Sequence, residues 1–302
     1  MIHSAALVLL LGFELCYYLL IIQTGVAEHY NSDLQTLFPM FIGGVLGTVL
    51  GGFSWGGISN PLHKIIIALC LQLTLSFSYP DYNIITLALL GLSVGIMAPL
   101  GVYLFKAKQQ RELLFALAIA YTIGTYFFIY DANNRVYMAV LFSLIALLSV
   151  FALRDYRVET DSKEVSHPYL QYLPLMIWIF LDSNLFETLS RHSGIDIWSE
   201  YTFTIIIFHL LGLLGAYFIN FSKTKKHVLI TALFIGSYAL SYLEWAFALA
   251  MLYPFTISYY NVVVFTTLSK EASMLKLAFM MIFVGWMASG LGLAVALSGI
   301  LH

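Results

Sequence analysis

The sequence predicts an all-α integral membrane protein with about eleven membrane-crossing helices. Composition is the first reason. Of 302 residues, 61% are hydrophobic and only 10% charged, whereas soluble domains carry about 25% charged residues. Mean hydropathy is +0.88. The second reason is that apolar runs long enough to cross a bilayer recur along the whole chain, separated by short polar connectors. The third is that lysine and arginine concentrate in alternate connectors.

The runs follow in order. A crossing needs about 20 apolar residues at 1.5 Å each. The expected spans are Ala5–Ile22, Leu34–Phe53, Ile65–Tyr79, Ile84–Phe105, Leu113–Ile129 and Val136–Leu153. After them come Tyr169–Leu189, Tyr201–Phe221, Val228–Leu243, Trp245–Leu268 and Leu275–Ile300. The first span has no basic region before it and carries Glu14, so it reads as a retained helix rather than a cleaved leader. The last is long and glycine-rich, either one tilted helix or a helix with a bent tail. Glu28–Asp33, Tyr79–Asn83 and Tyr130–Asn134 read as turns. The one longer connector, residues 154–168, is rich in charge. It separates residues 1–153, a six-helix half, from residues 169–302, a half of about five helices.

Orientation follows from the basic residues. Lys64, Lys106, Lys108, Arg111, Arg154, Arg157, Lys163, Lys223, Lys225, Lys226, Lys270 and Lys276 occupy one set of connectors. The other set holds only Arg135 and Arg191. Positive residues stay on the cytoplasmic side. The N-terminus is therefore expected inside, in a cytoplasmic (inner) membrane, with residues 154–168 inside and Arg191 outside.

The composition also excludes partners. A formal net charge of −2 without a basic block leaves nothing to bind nucleic-acid phosphates. Cys16 and Cys70 both lie in apolar runs and read as small buried thiols rather than a disulfide or metal site. Met274, Met280, Met281 and Met287 could suggest copper. Same-face pairs among them are seven residues apart, about 10.5 Å, too far for one ion. His192-Ser193-Gly194-Ile195-Asp196 is the only His/Ser/Asp grouping and has no triad spacing. No enzyme activity, metal or cofactor is expected.

Candidate functional residues are the polar groups at bilayer depth. An ionised acid there costs roughly 2.5–3.5 kcal/mol on insertion scales, so such residues normally face a bundle interior or a wet cavity. The stretch Trp178-Ile179-Phe180-Leu181-Asp182-Ser183-Asn184-Leu185-Phe186-Glu187-Thr188 holds two acids and an amide inside a spanning run. Phe186 follows Asp182 by one helical turn on the same face, and Trp178 extends that stripe. Glu187 lies about 140° round the helix from Asp182 and near the outer end. Glu14 in the first span has Tyr18 one turn on, with Tyr17 beside it. His209 in the eighth span is a further proton-carrying candidate. Gln23, Gln72, Asn184, Asn220 and Asn261 read as hydrogen-bond partners between helices. Pro99 and Pro254 fall inside spans, where they kink a helix and free backbone carbonyls.

Six spans, a charged cytoplasmic linker and further spans resemble the major facilitator superfamily. The second span, Pro39-Met40-Phe41-Ile42-Gly43-Gly44-Val45-Leu46-Gly47-Thr48-Val49-Leu50-Gly51-Gly52, is similar to the glycine-striped second helix of that family. Small residues four apart let helix backbones approach closely. The eighth span echoes it with Gly212 and Gly215, then Asn220 and Lys223-Thr224-Lys225-Lys226. The first-half loop Gly52-Phe53-Ser54-Trp55-Gly56-Gly57-Ile58-Ser59-Asn60 lacks the family's acid and most of its bases. A twelfth span is not evident.

The resemblance implies two pseudo-repeated halves and alternating access. It makes the first and seventh helices equivalent, with Glu14 and Asp182 at matching places near the midplane. The function it implies is secondary active transport of a small solute, with proton coupling through Glu14 or Asp182. The cavity would be lined by Tyr17, Tyr18, Trp178, Asn184 and Phe186, and the abundance of rings favours an amphipathic or partly aromatic solute. Partners are then the solute, protons and the lipid bilayer; the oligomeric state is open, and a monomer is plausible. The worn loop motifs and the lack of a twelfth span point to the rival reading, a non-transporting scaffold, assembly factor or sensor of the same architecture.

Overall fold

The computed structural model describes residues 2–55, 60–105, 110–156, 168–191, 195–219 and 221–298. Several sequence readings fall outside these residues: Gly56–Ser59, Lys106 and Lys108, 157–167 of the linker, His192–Gly194, and Asn220. The described chain is all-helical, without strands. Its long helices are α1 Ile2–His29, α2 Leu34–Gly52, α3 Pro61–Ser76, α4 Ile84–Leu104, α5 Gln110–Phe128 and α6 Val136–Ala152, then α7 Leu173–Arg191, α8 Thr202–Phe218, α9 Lys223–Tyr242, α10 Ala246–Leu268 and α11 Met274–Ser298. Six of them (α1, α2, α4, α5, α10 and α11) are long and apolar enough to cross a membrane.

The others fall short for visible reasons. The helix α3 has 16 residues and α6 and α8 have 17 each, so they rise about 24–26 Å, less than the roughly 30 Å hydrocarbon core. The helix α7 carries Asp182, Glu187 and Arg191, and α9 opens on Lys223, Lys225 and Lys226.

Local chemistry sets the helix ends. Asp33 accepts the backbone N–H groups of Gln35 and Thr36 to start α2. The Thr36 hydroxyl, with those two N–H groups, holds the exposed Asp33 carboxyl below its ordinary range. Asn83 and Thr86 form a reciprocal capping box on α4, and Asn60 precedes Pro61 at the start of α3. Side-chain oxygens here satisfy the N–H groups that a helix start leaves unpaired. The turns expected at 28–33 and 79–83 end in these caps.

The chain divides into two compact units. The first comprises Met1–Ser166 and Leu268–Ile282, the second His167–Thr267 and Phe283–His302. The long last helix therefore supplies residues to both. It also changes character along its length, because π-type hydrogen bonding occupies Ile282–Met287.

In the first unit, α1, α3 and α5 run parallel. Glu14 meets Gln72 and Tyr17 meets Ser76, while Gly12 packs on Ala116 and Ile119 and Gly124 on Leu19. The helix α6 runs opposite to α1, with Phe142 against Phe13 and Arg135 against Leu20. The helices α2 and α4 are parallel to each other. A Cβ on Gly43 would lie 2.0 Å from the Ala88 carbonyl oxygen, one on Gly47 2.2 Å from that of Leu92, and one on Gly51 2.9 Å from that of Ile96. From the other side, a Cβ on Gly91 would lie 2.0 Å from the Met40 carbonyl oxygen and one on Gly95 2.1 Å from that of Gly44. Two glycine rows thus interlock, which is the close backbone approach expected of the second span.

The helix α1 runs beyond its expected end at Ile22. Its backbone widens to π-type bonding over Tyr18–Val26 before a last turn to His29. Cys16 is buried, but Cys70 is exposed, correcting the expectation of two buried thiols. It lies on the outward face of α3 with Ile67, because an apolar residue in a membrane helix can be hidden by lipid as well as by protein.

In the second unit, α7 packs against the later part of α11. A Cβ on Gly292 would sit 2.6 Å from the Phe180 carbonyl oxygen, and Ser183 Oγ donates to the Ser289 carbonyl at 2.8 Å. The helices α9 and α10 are antiparallel, pairing Phe234 with Tyr260 and Ser237 with Thr256. Gly212 brings α8 close to α10, 2.5 Å from a Cβ to the Phe255 carbonyl oxygen.

Candidate functional site

Each unit holds a polar network around one acid. In the first, Glu14 is 8% exposed. Gln72 Nε2 on α3 donates to Glu14 Oε2 at 3.0 Å and reaches Ser143 Oγ on α6 at 3.4 Å. Ser76, one turn after Gln72, lies 3.3 Å from Ser143 Oγ and 3.2 Å from the Tyr17 hydroxyl. Three helices thus meet through one chain of polar atoms: Glu14, Gln72, Ser143, Ser76, Tyr17. Gln72 Oε1 is buried without a hydrogen-bond partner. The aromatic that joins Glu14 is Tyr17, completely buried; Tyr18 begins the π-type stretch and is half-buried.

In the second unit, α10 supplies the partners of Asp182. The Tyr253 hydroxyl donates to Asp182 Oδ1 at 2.8 Å and lies 3.1 Å from the Asp182 carbonyl oxygen, and the Tyr260 hydroxyl donates to Oδ2. Tyr253 and Tyr260 are seven residues apart, two turns of one helix face. The Tyr238 hydroxyl from α9 lies 2.9 Å from both the Leu181 carbonyl oxygen and Asn184 Oδ1. Asn184 is buried and spans to the Gly292 carbonyl at 3.4 Å. Rings surround this group. Phe234 stands 5.4 Å from Tyr260, and Trp198 stands 6.4 Å from Tyr253 and 5.4 Å from Phe186. Asp182, Phe186 and Tyr238 are half-buried.

The structure thus brings Asp182, Asn184 and Phe186 into one cluster, while Trp178, Glu187 and His209 each meet other partners. Trp178 is buried edge-on to His227 at 5.1 Å. Glu187 pairs with Arg191 at 2.6 Å, one turn along its own helix. His209 Nδ1 lies 2.8 Å from Ser258 Oγ. Ser258 is about 140° round α10 from Tyr253, so His209 meets a different face of α10 from the one that holds Asp182.

Sequence reasoning missed Tyr253, Tyr260 and Tyr238. The seven-residue spacing of the first two was legible, but nothing in sequence says which helix that face meets. Gln72 was read only as a generic interhelical partner. Among the described residues, no three His, Cys, Asp or Glu side chains gather to hold a metal ion. No family model matches the chain, and no curated protein matches it either.

Proposed function

We propose that the chain is a secondary transporter of the major-facilitator type, moving a small solute across the cytoplasmic membrane by alternating access. In this reading all eleven helices cross the membrane, with the N-terminus inside. The two acids carry the coupling protons, Asp182 in the second unit and Glu14 in the first. The observation that supports it best is the setting of Asp182. A half-buried carboxylate stands in a helix of a membrane protein, its oxygens taken by tyrosine hydroxyls rather than by a lysine or arginine. Intramembrane acids are costly and mark solute or proton paths.

Uptake into proteoliposomes under an imposed pH gradient tests this. Asp182→Asn and Glu14→Gln keep shape and hydrogen bonding but remove titration. Both variants should remain folded, lose concentrative uptake and keep counterflow exchange. Accumulation against a gradient in both would remove the proton role. No uptake by the wild-type protein of any solute that stabilises it, together with a stable protein partner in pull-down, would favour the scaffold reading instead.

A further inference from the structure

We propose that the Asp182 cluster binds an organic ammonium ion, its charged head against the carboxylate and its apolar body against the rings. This rests on the transport reading above, in which Asp182 carries a proton; it makes the same carboxylate the contact for the solute's charge and adds the chemical class.

The charge is the first observation. Among the described residues, no lysine, arginine or histidine makes an ion pair with Asp182. Two basic side chains of this unit are engaged elsewhere: Arg191 holds Glu187 at 2.6 Å, and Lys223 Nζ donates to Gln171 Oε1 at 3.1 Å. The carboxylate receives only the phenol hydrogens of Tyr253 and Tyr260. Two oxygens offer about four lone-pair sites, so acceptor capacity remains.

The surroundings are the second. Phe186 and Tyr238 are half-buried alongside Asp182, and Trp198, Phe234, Tyr253 and Tyr260 back them. A bare metal cation would want several further oxygens as ligands, whereas the other oxygens of this cluster are already hydrogen-bonded to one another, Tyr238 to the Leu181 carbonyl and Asn184 Oδ1 and Tyr253 to the Asp182 carbonyl. An anion would be repelled. A neutral apolar solute would leave the charge uncompensated at a depth where that is costly. A cation whose charge is spread over alkyl groups satisfies both the carboxylate and the electron-rich ring faces.

The test is calorimetric titration of the full-length protein in detergent with phenyltrimethylammonium, against benzenesulfonate and uncharged tert-butylbenzene. The cation should bind and the other two should not. Asp182→Asn should weaken its binding by about 30-fold or more, as expected on losing one partner of a buried charge pair. Phe186→Leu should weaken it by about threefold, the scale of one cation–ring contact. Should Asp182→Asn fail to fold, the wild-type preference and Phe186→Leu decide. Equal binding of cation and sulfonate, or unchanged binding in a folded Asp182→Asn, overturns the proposal. Ammonium binding without uptake in proteoliposomes would sink the transport reading and leave this site standing. Asp182-dependent uptake of another solute without ammonium binding would do the reverse.

Discussion

Arg135 shows how a single side chain can organise a helix bundle without a counter-charge in its grip. It caps α6 and is 1% exposed. Its guanidinium has five N–H donors, and all five meet neutral oxygens. Nε donates to the Tyr130 carbonyl at 3.0 Å; Nη1 donates to the Leu20 carbonyl at 2.9 Å and Thr24 Oγ1 at 2.8 Å. Nη2 donates to the carbonyls of Phe128 at 2.8 Å and Tyr130 at 2.6 Å. The Leu20 carbonyl lies in the π-type stretch of α1, and Phe128 ends α5. One residue therefore clips three helices. Arg135→Met removes these donors from the part-buried Phe128 and Tyr130 carbonyls, while the Leu20 carbonyl keeps Thr24 Oγ1 at 3.3 Å, and each orphaned polar group costs about 1–3 kcal/mol. A loss of about 3 kcal/mol is expected, read as a lower unfolding temperature in detergent. Arg135→Lys restores three donors without the planar fork and should fall between the two. Wild-type stability in Arg135→Met would show that water reaches these carbonyls.

At the scale of elements, the interlock of α2 and α4 is the tightest contact in the first unit. Gly43, Gly47 and Gly51 present one row, and Gly91 and Gly95 the facing one. Each would place a Cβ within 3 Å of a neighbouring atom, mostly a carbonyl of the partner helix. Backbone cannot yield as a side chain can, so the helices must separate. Lipid adds no hydrophobic drive to hold them, since such helices associate through close packing. Gly47→Leu and Gly51→Leu should lose fold or function, and even Gly47→Ala should lower the unfolding temperature. Gly290 is the control. Nothing lies within 4 Å of its Cβ position, and Gly290→Ala in α11 should be neutral or stabilising by about 0.5–1 kcal/mol through helix propensity alone. Equal effects at both sites would mean that helix propensity, not packing, sets the response.

For the whole molecule, the expected orientation rests on the basic residues, twelve of fourteen in one set of connectors. The parallel course of α1, α3 and α5 is consistent with alternate crossings. With eleven crossings and the N-terminus inside, the C-terminus lies outside. A reporter that is active only in the cytoplasm, fused after His302, should be silent. Activity there would mean an even number of crossings, with α3, α6, α7, α8 or α9 the first to re-examine.

The sequence by itself determined the all-helical class and the place of each long helix, though not every end, since α1 continues past Ile22 to His29. Hydrophobic runs, the polar turns that end before α2 and α4, and the glycine period of α2 act over a few neighbouring residues, so they can be read along the chain. It also located Glu14 and Asp182, because a charge in an apolar run stands out wherever the helix goes. The tertiary structure decided what each acid touches. Tyr253 and Tyr260 lie more than seventy residues from Asp182, and Gln72 lies 58 from Glu14. The periodicity of α10 marks a shared face but not its neighbour. The same holds for Arg135, which composition treats as a connector charge and packing turns into a buried clip. It holds again for α11, whose early residues belong to the first unit and later residues to the second. Partner choice between membrane helices depends on the fit of whole faces, and that is set only when the helices meet.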